Sequence, residues 1–188
     1  TPLVLKPVCE LLANLGPILQ GMSLAPLEVN RILHSRFRLL GAKGIVGMAL
    51  AGIDMAAWDA LARVQGQPLA GALGADLLEI GAYNSCGLGL IGPDLAPAEA
   101  ESLVVSGFTA IKVRLGYPTL ETDIEVVRAV KSAIGDGVHL MSDYNQALSV
   151  PDAVHRVRAL ADEGLYWIEE PCLAHDYQGY ARVRAASR

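Results

Sequence analysis

The sequence predicts an α/β fold, with a helical N-terminal part over residues 1–77 and a parallel sheet of repeated strand–helix units over 78–188. Three observations carry this reading. Apolar residues recur at helical spacing through the first third of the chain. From Leu78 onward, short apolar runs alternate with helical patterns and short connections, as in βα units with right-handed crossovers. Polar and charged residues gather where each apolar run ends, as expected when parallel strands deliver their C-terminal ends to one mouth.

The elements follow in order. Leu5–Leu19 has helical spacing, with Pro17 placed to bend or end it. Ser23–Arg38 continues the pattern, with Pro26 near a helix start and Ile32, Leu33 and Phe37 on one face. After Gly41 and Gly44, Val46–Val64 reads as a long Ala-rich helix, and Gly66, Pro68 and Gly74 break the pattern. Strand–helix pairs then follow: Ile80–Cys86 with Ala96–Ser106, Ala110–Leu115 with Leu120–Ala133, Val138–Asp143 with Pro151–Glu163, and Tyr166–Glu170 with a helix from about Tyr177. The repeat is about 28 residues, which suits a barrel of βα units as well as an open doubly wound sheet.

Composition narrows the class. Hydrophobic residues make up 52% of the 188 and charged residues 19%, which argues against disorder and for a real core. The formal charge of −5 leaves no electrostatic footprint for nucleic acid or an anionic membrane, and neither is expected as a partner. Cys9, Cys86 and Cys172 are odd in number and lack paired spacing, so neither a disulfide framework nor a zinc site is expected, and a reducing cytoplasm is the default. The N-terminus carries no signal-peptide pattern. The most apolar stretch, Ile45–Ala62, includes Asp54 and Asp59, which favours a buried amphipathic helix over a membrane span. Those two aspartates are expected to cap or pair locally. Trp58, Trp167 and Met55 are expected in the core, and Cys86 as a buried, inert thiol.

One motif favours an open sheet. Gly87-Leu-Gly-Leu-Ile-Gly92 matches the G-x-G-x-x-G dinucleotide fingerprint after a predicted strand. Its context fails, because Pro93 and Pro97 interrupt the helix that should follow and the second strand ends in Lys112 and Arg114 rather than an acid. A flexible loop is the simpler reading. The barrel explains more: Ser85, then Lys112 and Arg114, then Asp143 and Asn145, then Glu169 and Glu170 all stand at strand ends, about one βα unit apart. Lys112 and Arg114, two apart, project on the same side of a strand. Two carboxylates beside two cations suit a hard cation, with Mg²⁺ the first choice, held by few protein oxygens plus water and substrate. They suit an ion-pair network equally well, and spacing leaves the two even.

These residues also carry a family resemblance. Ala51-Gly-Ile-Asp-Met-Ala-Ala-Trp-Asp-Ala-Leu61, Ile111-Lys-Val-Arg-Leu-Gly-Tyr-Pro118, Ser142-Asp-Tyr-Asn-Gln146 and Trp167-Ile-Glu-Glu-Pro171, followed by His175-Asp-Tyr, resemble the enolase superfamily, and within it the mandelate racemase group. The resemblance implies an α+β capping domain, of which 1–77 is the helical part, followed by a modified (β/α) barrel of TIM type, with its first four βα units in 78–188. It implies Mg²⁺-assisted abstraction of the proton α to a carboxylate in a small 2-hydroxy acid, through an enediolate. Asp143 and Glu169 match metal ligands, and Ser85 and Asn145 match substrate-binding positions. Lys112 and Arg114 match the catalytic Lys-x-Lys strand, and Glu170 a supporting acid. Mandelate racemase-like racemisation is the leading expectation.

Two departures qualify it. Arg114 replaces the second lysine, which serves the family as a base on one face of the substrate carbon. Bringing a lysine to neutrality at pH 7 costs about 4.6 kcal/mol, whereas an arginine costs on the order of 8 kcal/mol. Arginine is better suited to clamp a carboxylate through its forked donors. Dehydration of an acid sugar, with a histidine on a later strand as the main base, is therefore the alternative within enzymes. Secondly, the family pattern extends past residue 188 to a third carboxylate ligand, an Asp/His pair and another acid. His34, His139, His155 and His175 do not fall at that histidine, and His175 reads as a loop or helix-start residue. A closed barrel has eight units and about 250 residues. The chain is therefore expected to be an internal fragment, inactive alone, and a binding remnant is the rival from another class. Open sheet edges lead to the expectation of a homo-oligomer.

Overall fold

Apolar spacing near the N-terminus becomes helix α1, Pro2–Leu19, in a computed structural model that describes residues 2–187. Pro7 and Pro17 both lie within α1, which stops shortly after the second, before Gly21 takes a φ of +80°. Helix α2, Pro26–Arg36, starts on its proline and is shorter at both ends than the apolar pattern suggested. Helix α3 spans Gly44–Val64. The pattern breakers after it leave room for one helical turn that was not expected, α4 at Leu69–Ala72, started by Pro68 and closed at Gly74 with φ +82°. These four helices make the first of two compact units, which divide between Glu79 and Ile80.

The core of the first unit is Leu15, Val29, Leu33 and Leu50, with Leu11, Ile18, Phe37, Val46 and Ile53 packed around them. Helix α3 buries only Ala49, Leu50 and Ala62, so the expectation of a buried amphipathic helix is corrected. Within this unit α1 and α2 pack on α3 and cover only part of its circumference. Met55 is accordingly 64% exposed and Trp58 half-buried, against the expectation that both sit in the core. Asp59 pairs locally with Arg63 at 2.7 Å, as anticipated, whereas Asp54 is bound by a distant residue, accepting a hydrogen bond from Asn30 of α2 at 3.1 Å. By length and composition alone, α1 and α3 are each long and apolar enough to cross a membrane.

The second unit continues with α5 (Ala96–Val104), β1 (Ala110–Arg114), α6 (Leu120–Ile134), β2 (His139–Asp143), α7 (Val150–Ala159), β3 (Ile168–Glu169) and α8 (Tyr177–Ala186). The strands form one parallel sheet in the order β1-β2-β3, with Arg114 opposite Asp143 and Asp143 opposite Glu169. Strand alternation sends Ile111, Val113 and Leu140 into a core with Val126, Val127 and Val130 of α6, and leaves Lys112 and Arg114 on the other face. Thr119, Ser149 and Asp176 cap α6, α7 and α8 with side-chain oxygens. A smaller core, Ala153, Val157, Cys172 and Val183, joins α7 to α8.

Two predicted strands are curtailed. Residues 80–86 form no strand, and only Asn84 bridges to Ile111, its N–H donating to the Ala110 carbonyl and its carbonyl accepting from Lys112. Among the described residues only β1 pairs with this segment, and Ile80 is 87% exposed. The last predicted strand, 166–170, shrinks to Ile168–Glu169 for the same reason, because it has a strand on one side only. Trp167 is 37% exposed and Cys86 is exposed, which corrects the core and buried-thiol expectations for both. The glycine-rich stretch 87–92 is irregular, as expected of a loop.

A buried carboxylate ties the strand ends together from behind. Asp123 of α6 is fully buried, and its Oδ1 accepts the N–H groups of Gly116 and Tyr117, each at 3.0 Å. Its Oδ2 accepts the Tyr144 hydroxyl at 2.7 Å and pairs with Arg156 of α7. Burial and the neighbouring carboxylate push the Tyr144 phenol above its usual range, so it remains a donor. Arg156 also donates to the Tyr117 carbonyl at 3.0 Å. Removing one member of such a pair leaves a buried charge unmatched. Asp123→Ala is therefore expected to lower stability by about 3–5 kcal/mol, measured by urea unfolding, and an unchanged midpoint would refute the knot's structural weight.

Candidate active site

The parallel register decides which side chains meet. Lys112 and Arg114 on β1, Asp143 at the end of β2 and Glu169 at the end of β3 lie on the face of the sheet away from α6. The Lys112 Nζ stands 2.9 Å from Glu169 Oε2 and 3.2 Å from Asp143 Oδ2. It also lies 5.5 Å from the centre of the Tyr83 ring, in cation–π range. An open cleft of about 390 Å³ beside this cluster is lined by Ser85, Lys112, Arg114, Asp143 and Asn145 together with Gly87, Leu88 and Gly89. The structure thus brings five of the six candidate site residues to one cleft, and the sixth, Glu169, onto Lys112.

Burial works against the charge on Lys112, yet hydrogen bonds to Glu169 and Asp143 outweigh it and hold the ammonium above its usual range. Lys112 is the cation that both carboxylates share in this structure. Arg114 is exposed at the cleft and makes no ion pair among the described residues, which leaves its forked donors available to an anion.

The backbone beyond β2 is unusual. Asn145, Gln146 and Glu170 have φ of +45°, +64° and +43°, a left-handed conformation that asparagine tolerates better than most residues. The turn carries the Asn145 N–H back to Asp143 Oδ1 at 2.7 Å, which orients that carboxylate. Glu170 turns away and accepts a hydrogen bond from Gln146 at 3.3 Å, so it supports the loop and does not join the Lys112 cluster. His175 lies in the turn before α8, as expected.

Asp143 and Glu169 present oxygens from adjacent strands to a single positive centre, here the Lys112 Nζ. That convergence and the all-oxygen donor set fit a hard divalent cation. Among the described residues no group of three His, Cys, Asp or Glu side chains converges, so the chain supplies two ligands. A Mg²⁺ site completed by water and substrate oxygens is compatible with two.

Two features of the site escaped the sequence. Tyr83 stands two residues before Ser85, and alternation along the strand predicted there would put the two on one side; that spacing was the available signal. Gly87 and Gly89 line the cleft with their backbone, and a Cβ on Gly87 would meet Glu99 Oε1 at 2.6 Å. Close packing thus accounts for Gly87 alone; Gly89 has open space around it, and Gly92 is used for its φ of +84°.

Comparison with known proteins places these features in a family. Residues 3–74 match the model of the mandelate racemase/muconate lactonizing enzyme N-terminal domain, and 96–188 match the enolase C-terminal domain-like model. An enolase from an alpha proteobacterium (bal199), crystallised with bound Mg, superposes with a TM-score of 0.93 at 38% identity, over 100% of this chain and 53% of that one. A Bradyrhizobium enolase complexed with magnesium and mandelic acid gives 0.89 at 38% identity, over 100% of this chain and 52% of that one. The L-talarate/galactarate dehydratase of Salmonella typhimurium is 36% identical over 78% of this chain and 37% of its own length. Other curated relatives bear the names of cycloisomerases and epimerases. The chain spans about half the length of these solved structures, and less than half that of the curated relatives. Matched by both domain models, the chain belongs to the mandelate racemase/muconate lactonizing enzyme family of the enolase superfamily.

Proposed function

We propose that the whole protein removes the proton α to the carboxylate of a 2-hydroxy acid, with Mg²⁺ held by Asp143 and Glu169, that a base not among the described residues accepts this proton and a proton is returned to the opposite face of the carbon, and that the outcome is racemisation. The observation that carries this reading is the Lys112 ammonium, 2.9 Å from Glu169 and 3.2 Å from Asp143 beside a cleft open to a small molecule. A proton beside a carboxylate is very weakly acidic, because its removal puts a second negative charge on the substrate. Fixed cations aimed at that charge lower the barrier without reorganising during the reaction. Mg²⁺, when bound, supplies further Lewis-acid stabilisation of the carboxylate oxygens.

Each residue has a part in this reading. Lys112 stays protonated and stabilises the developing dianion. Arg114 clamps the incoming carboxylate through two of its donors. The Ser85 hydroxyl and Asn145 amide orient the remaining oxygens. The relative crystallised with mandelic acid supports a 2-hydroxy acid as the substrate class.

Dehydration of an acid sugar is the second reading. It is favoured by Arg114 in place of the second lysine, which removes the easier base from one face of the carbon, and by the dehydratase among the relatives. The two readings separate in D₂O. Incubated with 2-hydroxy acids and with sugar acids, the full-length protein is expected to place deuterium at the α-carbon without loss of water. A 2-keto-3-deoxy product would establish dehydration instead, and no exchange with either class would leave a binding remnant as the surviving account.

The roles of single residues are equally open to test. Lys112→Met is expected to reduce turnover on the order of 10²-fold, the scale of losing one preorganised charge-stabilising group; turnover equal to the parent would remove Lys112 from the reaction. In a calorimetric Mg²⁺ titration, Asp143→Asn is expected to abolish detectable affinity, and parental affinity would strike Asp143 from the ligand set.

A further inference from the structure

The carboxylate of Asp143 is held by something that itself needs holding. Its Oδ1 accepts the Asn145 N–H at 2.7 Å, and that N–H belongs to the peptide bond joining Tyr144 to Asn145. Rotation of the Tyr144 backbone would therefore carry the hydrogen bond away from the carboxylate. The following residues, Asn145 and Gln146, have φ of +45° and +64°, a left-handed conformation that asparagine tolerates and glutamine adopts less readily.

Tyr144 is where that constraint enters. Its side chain is buried on the opposite face of the sheet from the cleft, in the core with Val126 and Leu140. Its backbone is held at both ends, the N–H donating to the Glu169 carbonyl at 3.0 Å and the carbonyl accepting from Ala147 at 3.1 Å. Its hydroxyl donates to Asp123 Oδ2 at 2.7 Å, and Asp123 is braced in turn by Arg156. The other oxygen of Asp123 holds Gly116 and Tyr117, just after the strand that carries Lys112 and Arg114. Gly116 supplies the φ of +113° with which the chain leaves β1 beside the Tyr144 ring. One buried carboxylate thus references the ends of both β1 and β2.

We infer that Tyr144 is a positioning residue for the Asp143 carboxylate, anchored through Asp123 and Arg156 on the far side of the sheet. The inference rests on the proposal that Asp143 binds Mg²⁺. Groups that orient metal ligands from behind change affinity about 10- to 100-fold when removed.

The test is a calorimetric Mg²⁺ titration of the protein and four variants, with thermal melts alongside. Tyr144→Phe is expected to weaken Mg²⁺ affinity about ten-fold. Val130→Ala, a truncation in the same core that removes none of the hydrogen bonds running from Asp123 through Tyr144, is expected to lower the melting temperature and keep parental affinity. Asp143→Asn is expected to lose binding altogether. Parental affinity in Tyr144→Phe with binding lost in Asp143→Asn overturns the positioning role alone. Parental affinity in Asp143→Asn overturns the metal reading, and the positioning role with it. An equal loss in Val130→Ala assigns the effect to general stability and overturns the inference. If Tyr144→Phe does not fold, Arg156→Lys keeps the positive charge but not the forked brace; weaker Mg²⁺ binding supports the anchor and parental binding overturns it.

Discussion

Side chains alternate along a strand, and parallel strands in register bring like-facing positions side by side. Once β1, β2 and β3 pair as they do, Lys112, Arg114, Asp143 and Glu169 share one face, and Ile111, Val113 and Leu140 share the other. The apolar face buries against α6 and enforces the register, because a slip of one residue would exchange the two sets. The charged face is then a consequence of the core. The chemistry proposed for this protein follows from the same constraint, since no single strand contributes more than two of the charged groups.

Two carboxylates on neighbouring strand ends repel one another, and Lys112 offsets that repulsion by hydrogen bonding to both. An ion-pair network and a cation site would therefore use the same oxygen atoms. The two readings that spacing left even differ in which positive centre the carboxylates face, and not in the architecture. The tyrosine ring beside Nζ and the partial burial of the lysine confine the ammonium to this place.

The sheet is less completely dressed than its charged face. Its outer flank at β1 is met by the Asn84 bridge and by the Leu88 carbonyl, which accepts the Arg114 N–H at 2.9 Å, and β3 pairs on one side. A cleft of about 370 Å³ beside β3, lined by Leu160, Trp167, Ile168 and Val183, marks that second flank. Edge strands keep regular geometry only where pairing and burial both support them. That is why 80–86 remained irregular and Trp167 stayed partly exposed.

Much was legible in the residues themselves. Helical and strand periodicity located seven of the eight helices among the described residues and the central strands, because a 3.6-residue or two-residue repeat is a local property of the chain. The candidate site residues were also legible, since each stands at the end of an apolar run. The short α4, the fate of the flanking strands, the exposure of Cys86 and Met55, and the roles of Tyr83, Asp123 and Tyr144 were not. Each of these depends on a partner distant in sequence: Tyr144 reaches Asp123 across 21 positions and Arg156 reaches it across 33. Local order by itself determined the alternation of strands and helices and the residues available for chemistry. Tertiary structure decided which carboxylates share Lys112 and how Asp143 is aimed, because those outcomes require register and burial, which exist only once distant segments pack.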